Sequence, residues 1–141
     1  MATALNTEEA EAGNPVVSNH TIPGAWAWLY GGEYETYDSH MHKDPVCAVC
    51  RAALPTTVMV PGTNRCEAGW TLQYSGYLMA NHWGHVGSTE YICVDTRLES
   101  FVHSNVKTLG SLLYFTIAKC GALPCDPYVD SKVVLCAVCS K

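Results

Sequence analysis

The amino-acid sequence predicts an all-β or β-rich α+β fold, built as a single small domain that disulfides hold together. The first observation is a series of short runs rich in β-branched and aromatic residues, separated by Gly, Pro and Asn. The second is that no helical periodicity persists for more than about two turns. The third is the presence of eight cysteines in a chain of 141 residues of which only 15% are charged. Short antiparallel strands with long loops are therefore expected.

Five runs are the predicted strands, and each is bounded by residues that favour turns. Stretches such as VPGTN, GHVGS and GALPCDP supply this turn chemistry. Two runs, SLLYFTIA and VVLCAV, are continuously apolar, so they are expected to be buried on both faces. In chain order the predicted strands are 56–60, 70–79, 89–95, 111–120 and 132–139.

The start of the chain differs in composition from the remainder. It is rich in Ala, Glu and Asn and has almost no large apolar side chains, which is typical of a flexible segment. We therefore predict a leader over residues 1–22 and a disulfide-rich β domain over residues 23–141. Neither the basic region nor the apolar region of a signal peptide is visible in this leader.

The eight cysteines could form disulfides, bind zinc or remain free thiols. Zinc is disfavoured because the two Cys-Ala-Val-Cys motifs, at 47–50 and 136–139, lie far apart and lack the Gly or polar turn residues that usually orient two thiolates on one ion. An even cysteine count in a small, β-rich chain with little charge favours four disulfides. Cys66 with Cys93 is one expected pair, and the two motifs could be neighbouring strands with similar bridges. The predicted disulfide cysteines are Cys47, Cys50, Cys66, Cys93, Cys120, Cys125, Cys136 and Cys139.

The charge balance and the motifs limit the classes of function. The net charge is −5, and no basic run exists, so nucleic acid is not an expected partner. No stretch approaches the roughly 18 apolar residues that span a bilayer, so membrane insertion is not expected. Gly-x-Ser-x-Gly, His-Glu-x-x-His and phosphate-binding loops are absent from the sequence, and we do not expect an enzyme. Small polar ligands, cations and protein partners remain.

Two histidines in the segment HMH are a possible metal edge. His40 and His42 would face the same side of a strand, and Asp38 or Asp44 could add a third ligand for a transition metal. Short His-x-His strings on exposed loops are commonly inert, which is the competing interpretation.

Polar and aromatic side chains crowd together between residues 79 and 100. Trp83 or Tyr91 could stack on the apolar face of a sugar ring, while amide, imidazole and carboxylate groups nearby could make directional hydrogen bonds. Such a combination favours a sugar site. The predicted ligand-binding residues are Asn81, His82, Trp83, His85 and Glu90.

Two acids at the end of this stretch are candidate calcium ligands. If 89–95 is a strand, Asp95 lies at its end, and Glu99 follows four residues later. Carboxylates together with loop carbonyls provide the oxygen ligands that calcium prefers. The alternative is an ion pair between Arg97 and one of these acids, and the residues alone favour it slightly.

Several motifs together resemble one known family. DPVCAVC, VPGTNRCEAGWTLQYSGYLM, TEYICVD, GSLLYFTIAKCGALPC and VVLCAVCSK occur in the same order in the C-terminal non-collagenous domain of the short-chain collagens of sponges. The resemblance extends from about Tyr30 to Lys141 and implies an extracellular, disulfide-bonded domain. This chain has no Gly-X-Y repeat, so it cannot form a collagen triple helix itself.

The chain is also similar to a galactose-specific, calcium-dependent, dimeric lectin of sea anemones. This similarity implies a homodimer that binds terminal galactose on glycans or glycoproteins, with Asp95 and Glu99 holding calcium. Arg97 stands where the family often has a further acid, which puts the calcium site in doubt. The competing interpretation is a structural module of the extracellular matrix that binds no sugar.

Overall fold

The computed structural model describes residues 2–4, 31–84, 90–102, 104 and 110–141. Within these ranges the regular structure consists of strands, so the predicted all-β class is confirmed. Their bounds are β1 Ala2–Ala4, β2 Gly32–Tyr34, β3 Ala48–Cys50, β4 Thr57–Pro61, β5 Thr71–Ala80, β6 Ile92–Asp95, β7 Ser111–Phe115 and β8 Leu135–Ser140. No helix in the described ranges has the length and apolar character needed to cross a bilayer.

Six of the strands form one mixed sheet. Five of them follow the order β2-β7-β5-β8-β4, and β6 pairs with β5 along the edge opposite to β8. The β2–β7 pair is parallel and the remaining pairs are antiparallel. β1 and β3 form a separate antiparallel pair. The long strand β5 therefore pairs with three neighbours, and β8 is an interior strand between β5 and β4.

The core of the sheet surrounds β5 and β8. Met79, Cys136 and Ala137 are completely buried, and Leu78 and Cys139 are nearly so. The predicted burial of VVLCAV is confirmed over its Cys-Ala pair. The prediction for SLLYFTIA is wrong, because β7 is half-buried throughout and Ile117 is exposed, whereas Ala118 is buried.

Gly76 is where β5 and β6 come closest together. It pairs with Asp95 on β6 and with Cys136 on β8, so strands flank it on both edges. A Cβ atom at this position would collide with the carbonyl oxygen of Val94. Since that oxygen belongs to the backbone, only movement of β6 could relieve the collision.

Three disulfides connect the described strands and loops. Cys66 bonds to Cys139, Cys93 bonds to Cys136, and Cys120 bonds to Cys125. The predicted disulfide-stapled domain is confirmed, and bridges of this kind indicate an oxidising, extracellular setting.

The expected pairing of Cys66 with Cys93 is wrong. β8 lies between β4 and β5, and its own two cysteines form the long-range bridges. Because Cys136 and Cys139 are three residues apart on a strand, their side chains point to opposite faces. Each face of the sheet thus receives one bridge, to Cys93 on one face and to Cys66 on the other.

The prediction of a fourth disulfide, which would use Cys47 and Cys50, is also wrong. Cys47 and Cys50 are free and exposed. An extended segment separates their Cα atoms by about 10 Å, whereas a disulfide needs less than roughly 7 Å. Their motif forms β3, which does not adjoin β8, so the two Cys-Ala-Val-Cys motifs are not neighbouring strands.

Candidate functional site

The strongest candidate site is a cleft where β5 and β7 end side by side. Ala80, the last residue of β5, pairs with Tyr114 of β7. The cleft has a volume of about 420 Å³, which is within the range of small-ligand sites. The lining residues are Ala80, Asn81, His82, Trp83, Tyr91, Tyr114, Phe115, Thr116 and Ile117. We call it the aromatic cleft.

The turn that follows β5 fixes the polar groups of the aromatic cleft. The backbone N–H of His82 donates to Oδ1 of Asn81 at 2.8 Å, and the N–H of Gly84 donates to Nδ1 of His82 at 3.1 Å. Since Nδ1 accepts a hydrogen bond, the neutral imidazole carries its proton on Nε2. The turn thus fixes the orientation of the His82 ring and of the Asn81 amide at the cleft.

Two aromatic rings lie close to the ring of His82. Its ring centroid lies 5.4 Å from that of Trp83 and 5.2 Å from that of Tyr114. Trp83 is 93% exposed and Tyr91 is 59% exposed. Large aromatic side chains usually bury most of their area, so the Trp83 ring does not serve to fill the core.

Tyr114 is a cleft residue that the sequence did not indicate. Burial, together with the nearby negative groups of Glu35 and Tyr37, raises the pKa of its phenol. In the sequence, Tyr114 lies inside an apolar run that was expected to be wholly buried. Only its register opposite Ala80 places it next to the turn after β5.

The predicted ligand-binding residues divide into three groups. Asn81, His82 and Trp83 line the aromatic cleft together. Glu90 is exposed and is not part of the lining, although its neighbour Tyr91 is. His85 lies outside the described residues.

Asp95 and Glu99 do not join the aromatic cleft. β6 runs antiparallel to β5, so Asp95 pairs with Gly76, about 13 Å along β5 from Ala80. Asp95 instead lines a second, mostly apolar cleft of about 370 Å³, which also includes Cys47 and Cys50. Glu99 is not among the residues that line either cleft.

The surroundings of Asp95 favour the ion pair over the calcium site. Oδ1 of Asp95 accepts the backbone N–H of Arg97 at 2.8 Å, and the Nε atom of Arg97 lies 3.7 Å from the same oxygen. A calcium ion would have to compete with the guanidinium for this carboxylate, whereas calcium needs six to eight oxygen ligands. In the described part of the chain, no group of three or more His, Cys, Asp or Glu side chains is arranged to hold a metal ion.

The two histidines of HMH lie in a turn, not in a strand. Nδ1 of His40 is 2.9 Å from Oγ of Ser100, and Nδ1 of His42 is 3.1 Å from Oε2 of Glu35. The two rings therefore serve different partners. Asp38 accepts the hydroxyl of Thr36 and the backbone N–H of His40, which together with the charge of His40 outweigh its partial burial and lower its pKa.

Comparison with known proteins finds no relative of this chain. The chain matches no family model, no curated protein and no solved structure. The resemblance to the non-collagenous domain of sponge short-chain collagens accordingly rests on the quoted motifs.

Proposed function

We propose that this protein is an extracellular carbohydrate-binding protein whose sugar site is the aromatic cleft. The observation that carries the proposal is the nearly bare ring of Trp83 beside a cleft that the polar side chains of Asn81, His82 and Tyr114 also line. A pyranose has an apolar face that stacks on an aromatic ring and hydroxyl groups around its edge. The cleft offers a matching ring and matching polar groups within one small volume.

The contribution of Trp83 to the free energy of sugar binding follows from the area of its ring that a sugar would cover. One face of the ring corresponds to about 100 Å², which at about 25 cal/mol per Å² gives about 2.5 kcal/mol. Part of this free energy is offset by ordering the sugar and the ring. Trp83→Ala should therefore weaken binding at least about tenfold, which is about 1.4 kcal/mol.

Terminal galactose is the proposed sugar, and a homodimer is the proposed assembly. Both rest on the similarity to the sea-anemone lectin. Two sugar sites in one particle would allow the protein to cross-link glycans or glycoproteins on cells. Size-exclusion chromatography with light scattering checks the assembly directly.

Calcium dependence is a separate part of the proposal. An ion held by Asp95 and Glu99 would lie beside Gly76, at the far end of the β5–β6 pair from the aromatic cleft. At about 13 Å it would not touch a sugar in that cleft. Its expected effect is therefore on the stability of this end of β6, which melting with and without calcium measures.

The experiment that tests the proposal is binding of lactose by isothermal titration calorimetry, with and without a chelator. Native protein should bind, and Trp83→Ala should bind at least about tenfold more weakly. Val102→Ala is the matched control, because Val102 is an exposed apolar residue that lines neither cleft. No binding to any sugar of a broad glycan array at millimolar calcium would contradict the proposal and favour the matrix module instead.

A further inference from the structure

A third cleft differs from the other two in its charge. It has a volume of about 340 Å³ and lies between the turn after β4 and the segment that precedes β8. Arg65 and Lys132 both line it, and none of the lining residues is acidic. In a chain with thirteen acids and eight basic residues, a cleft of this composition is unexpected from the average surface. We call it the cationic cleft.

The two cations are not neutralised by a neighbouring carboxylate. Among the described residues, neither Arg65 nor Lys132 forms an ion pair. Asp130, the acid closest to Lys132 in sequence, points elsewhere: it accepts the N–H of Cys120 at 2.9 Å and the ammonium group of Lys119 at 3.2 Å. The positive charge of the cationic cleft is thus available to an anion.

The loop that carries Arg65 is held in a defined shape. The hydroxyl of Thr63 accepts the N–H of Arg65 and donates to its carbonyl oxygen, both at 3.1 Å. Gly62 has a positive φ of 81° and donates its N–H to the carbonyl of Leu135 at 2.8 Å. The phenol of Tyr128 lies so close to Gly62 that a Cβ atom there would collide with it. A fixed backbone and a hydroxyl donor accompany the two charges.

The cationic cleft adjoins the aromatic cleft. Ile117 lines the aromatic cleft, and Val133 lines the cationic cleft. These two residues pair as an isolated antiparallel bridge, so a lining residue of one cleft lies about one strand spacing, roughly 5 Å, from a lining residue of the other. A short oligosaccharide could reach from one cleft into the other.

We propose that the cationic cleft binds a sulfate or carboxylate group on the saccharide that occupies the aromatic cleft. This inference rests on the proposed sugar-binding function and names the class of glycan as acidic. Charge-assisted hydrogen bonds from the Arg65 guanidinium, the Lys132 ammonium group and the Tyr128 hydroxyl hold the anionic group. Sulfate esters and sugar carboxylates share the oxygen-rich anionic chemistry that these donors recognise.

The test compares lactose, 3′-sulfolactose and 3′-sialyllactose by isothermal titration calorimetry at about 0.05 M and about 0.5 M salt. At low salt we expect one or both acidic sugars to bind about tenfold more tightly than lactose, and the difference to shrink at high salt. The response to each acidic sugar separately shows whether sulfate or carboxylate is preferred. Arg65→Gln and Lys132→Gln should each remove most of this advantage and leave the binding of lactose unchanged. Lys119→Gln, which removes a cation outside the cleft, should change nothing.

The outcomes separate this inference from the proposed function. Lactose binding that needs Trp83, with no advantage for either acidic sugar, would overturn the inference and leave the proposed function intact. Binding of an acidic sugar that needs Arg65 and Lys132 but not Trp83 would support the cationic cleft and contradict the aromatic one. If none of the three sugars binds, both proposals fail.

Discussion

The three disulfides should contribute unequally to stability, and their positions in the chain give the expected order. In the chain-entropy model, a bridge stabilises the protein by restricting the unfolded chain, and the contribution grows with the logarithm of the loop it closes. The sequence separations are 73 for Cys66–Cys139 and 5 for Cys120–Cys125. Because the Cys93–Cys136 bridge shortens the loop that Cys66–Cys139 closes to about 30 residues, the model assigns about 3.6 kcal/mol to Cys66–Cys139 and about 2.1 kcal/mol to Cys120–Cys125, a difference of about 1.5 kcal/mol.

The assay is urea unfolding of two variants, in which both cysteines of one bridge are replaced by Ala. Removing the long-range bridge should lower the free energy of unfolding by about 1.5 kcal/mol more than removing the short-range one. Cys139 is buried and Cys125 is exposed, so the loss of packing at Cys139 further increases the cost of removing the long-range bridge. Equal costs for the two variants, or a greater cost for the short bridge, would refute the loop argument.

Three further predictions concern a glycine, a tyrosine and the two free cysteines. Gly76→Ala should cost roughly 1–3 kcal/mol or more, because the added Cβ displaces β6, whereas Gly31→Ala, which meets nothing within 4 Å, should change urea unfolding little. Burial, reinforced by nearby negative groups, raises the pKa of Tyr34 to about 12; the unfolded chain therefore ionises first, and the stability that Tyr34 contributes is present below pH 10 and is lost as the pH rises to about 12. Tyr34→Phe should flatten this alkaline decline in unfolding experiments. Alkylation of the native protein should add two groups, at Cys47 and Cys50, to its intact mass; no added group would mean that these thiols are bridged after all.

The strands were predictable where the local pattern and the pairing agree. β4, β5 and β8 lie within two or three residues of their predicted bounds, because their β-branched and aromatic residues are also buried or paired in the sheet. β3 has the same Cys-Ala-Val-Cys motif as part of β8, yet its residues are exposed and its cysteines are free. Only the order of strands distinguishes the two motifs, and strand order depends on contacts between residues far apart in the chain.

In the candidate site, too, residues adjacent in the chain were predicted and residues brought together by strand pairing were not. Asn81, His82 and Trp83 were predicted together because they are adjacent in the chain, and one turn does hold them together. Tyr114 and the pair Arg65 and Lys132 were not predicted, since each comes from a distant segment that pairing brings to its cleft. Asp95 and Asn81 are close in sequence but lie at opposite ends of a strand pair, because β6 reverses the direction of β5.

The position of β8 between β4 and β5 has a consequence for how the chain folds during synthesis. During synthesis β4 and β5 emerge long before β8, which later pairs with both of them. Until then each exposes an unpaired edge, and such edges are prone to pair with other chains. Over the same interval Cys66 and Cys93 have emerged without their native partners, and a bond between them would have to be broken before β8 could take its place. An isomerase that reshuffles this premature bridge should therefore raise the yield of folded protein more than an oxidant alone.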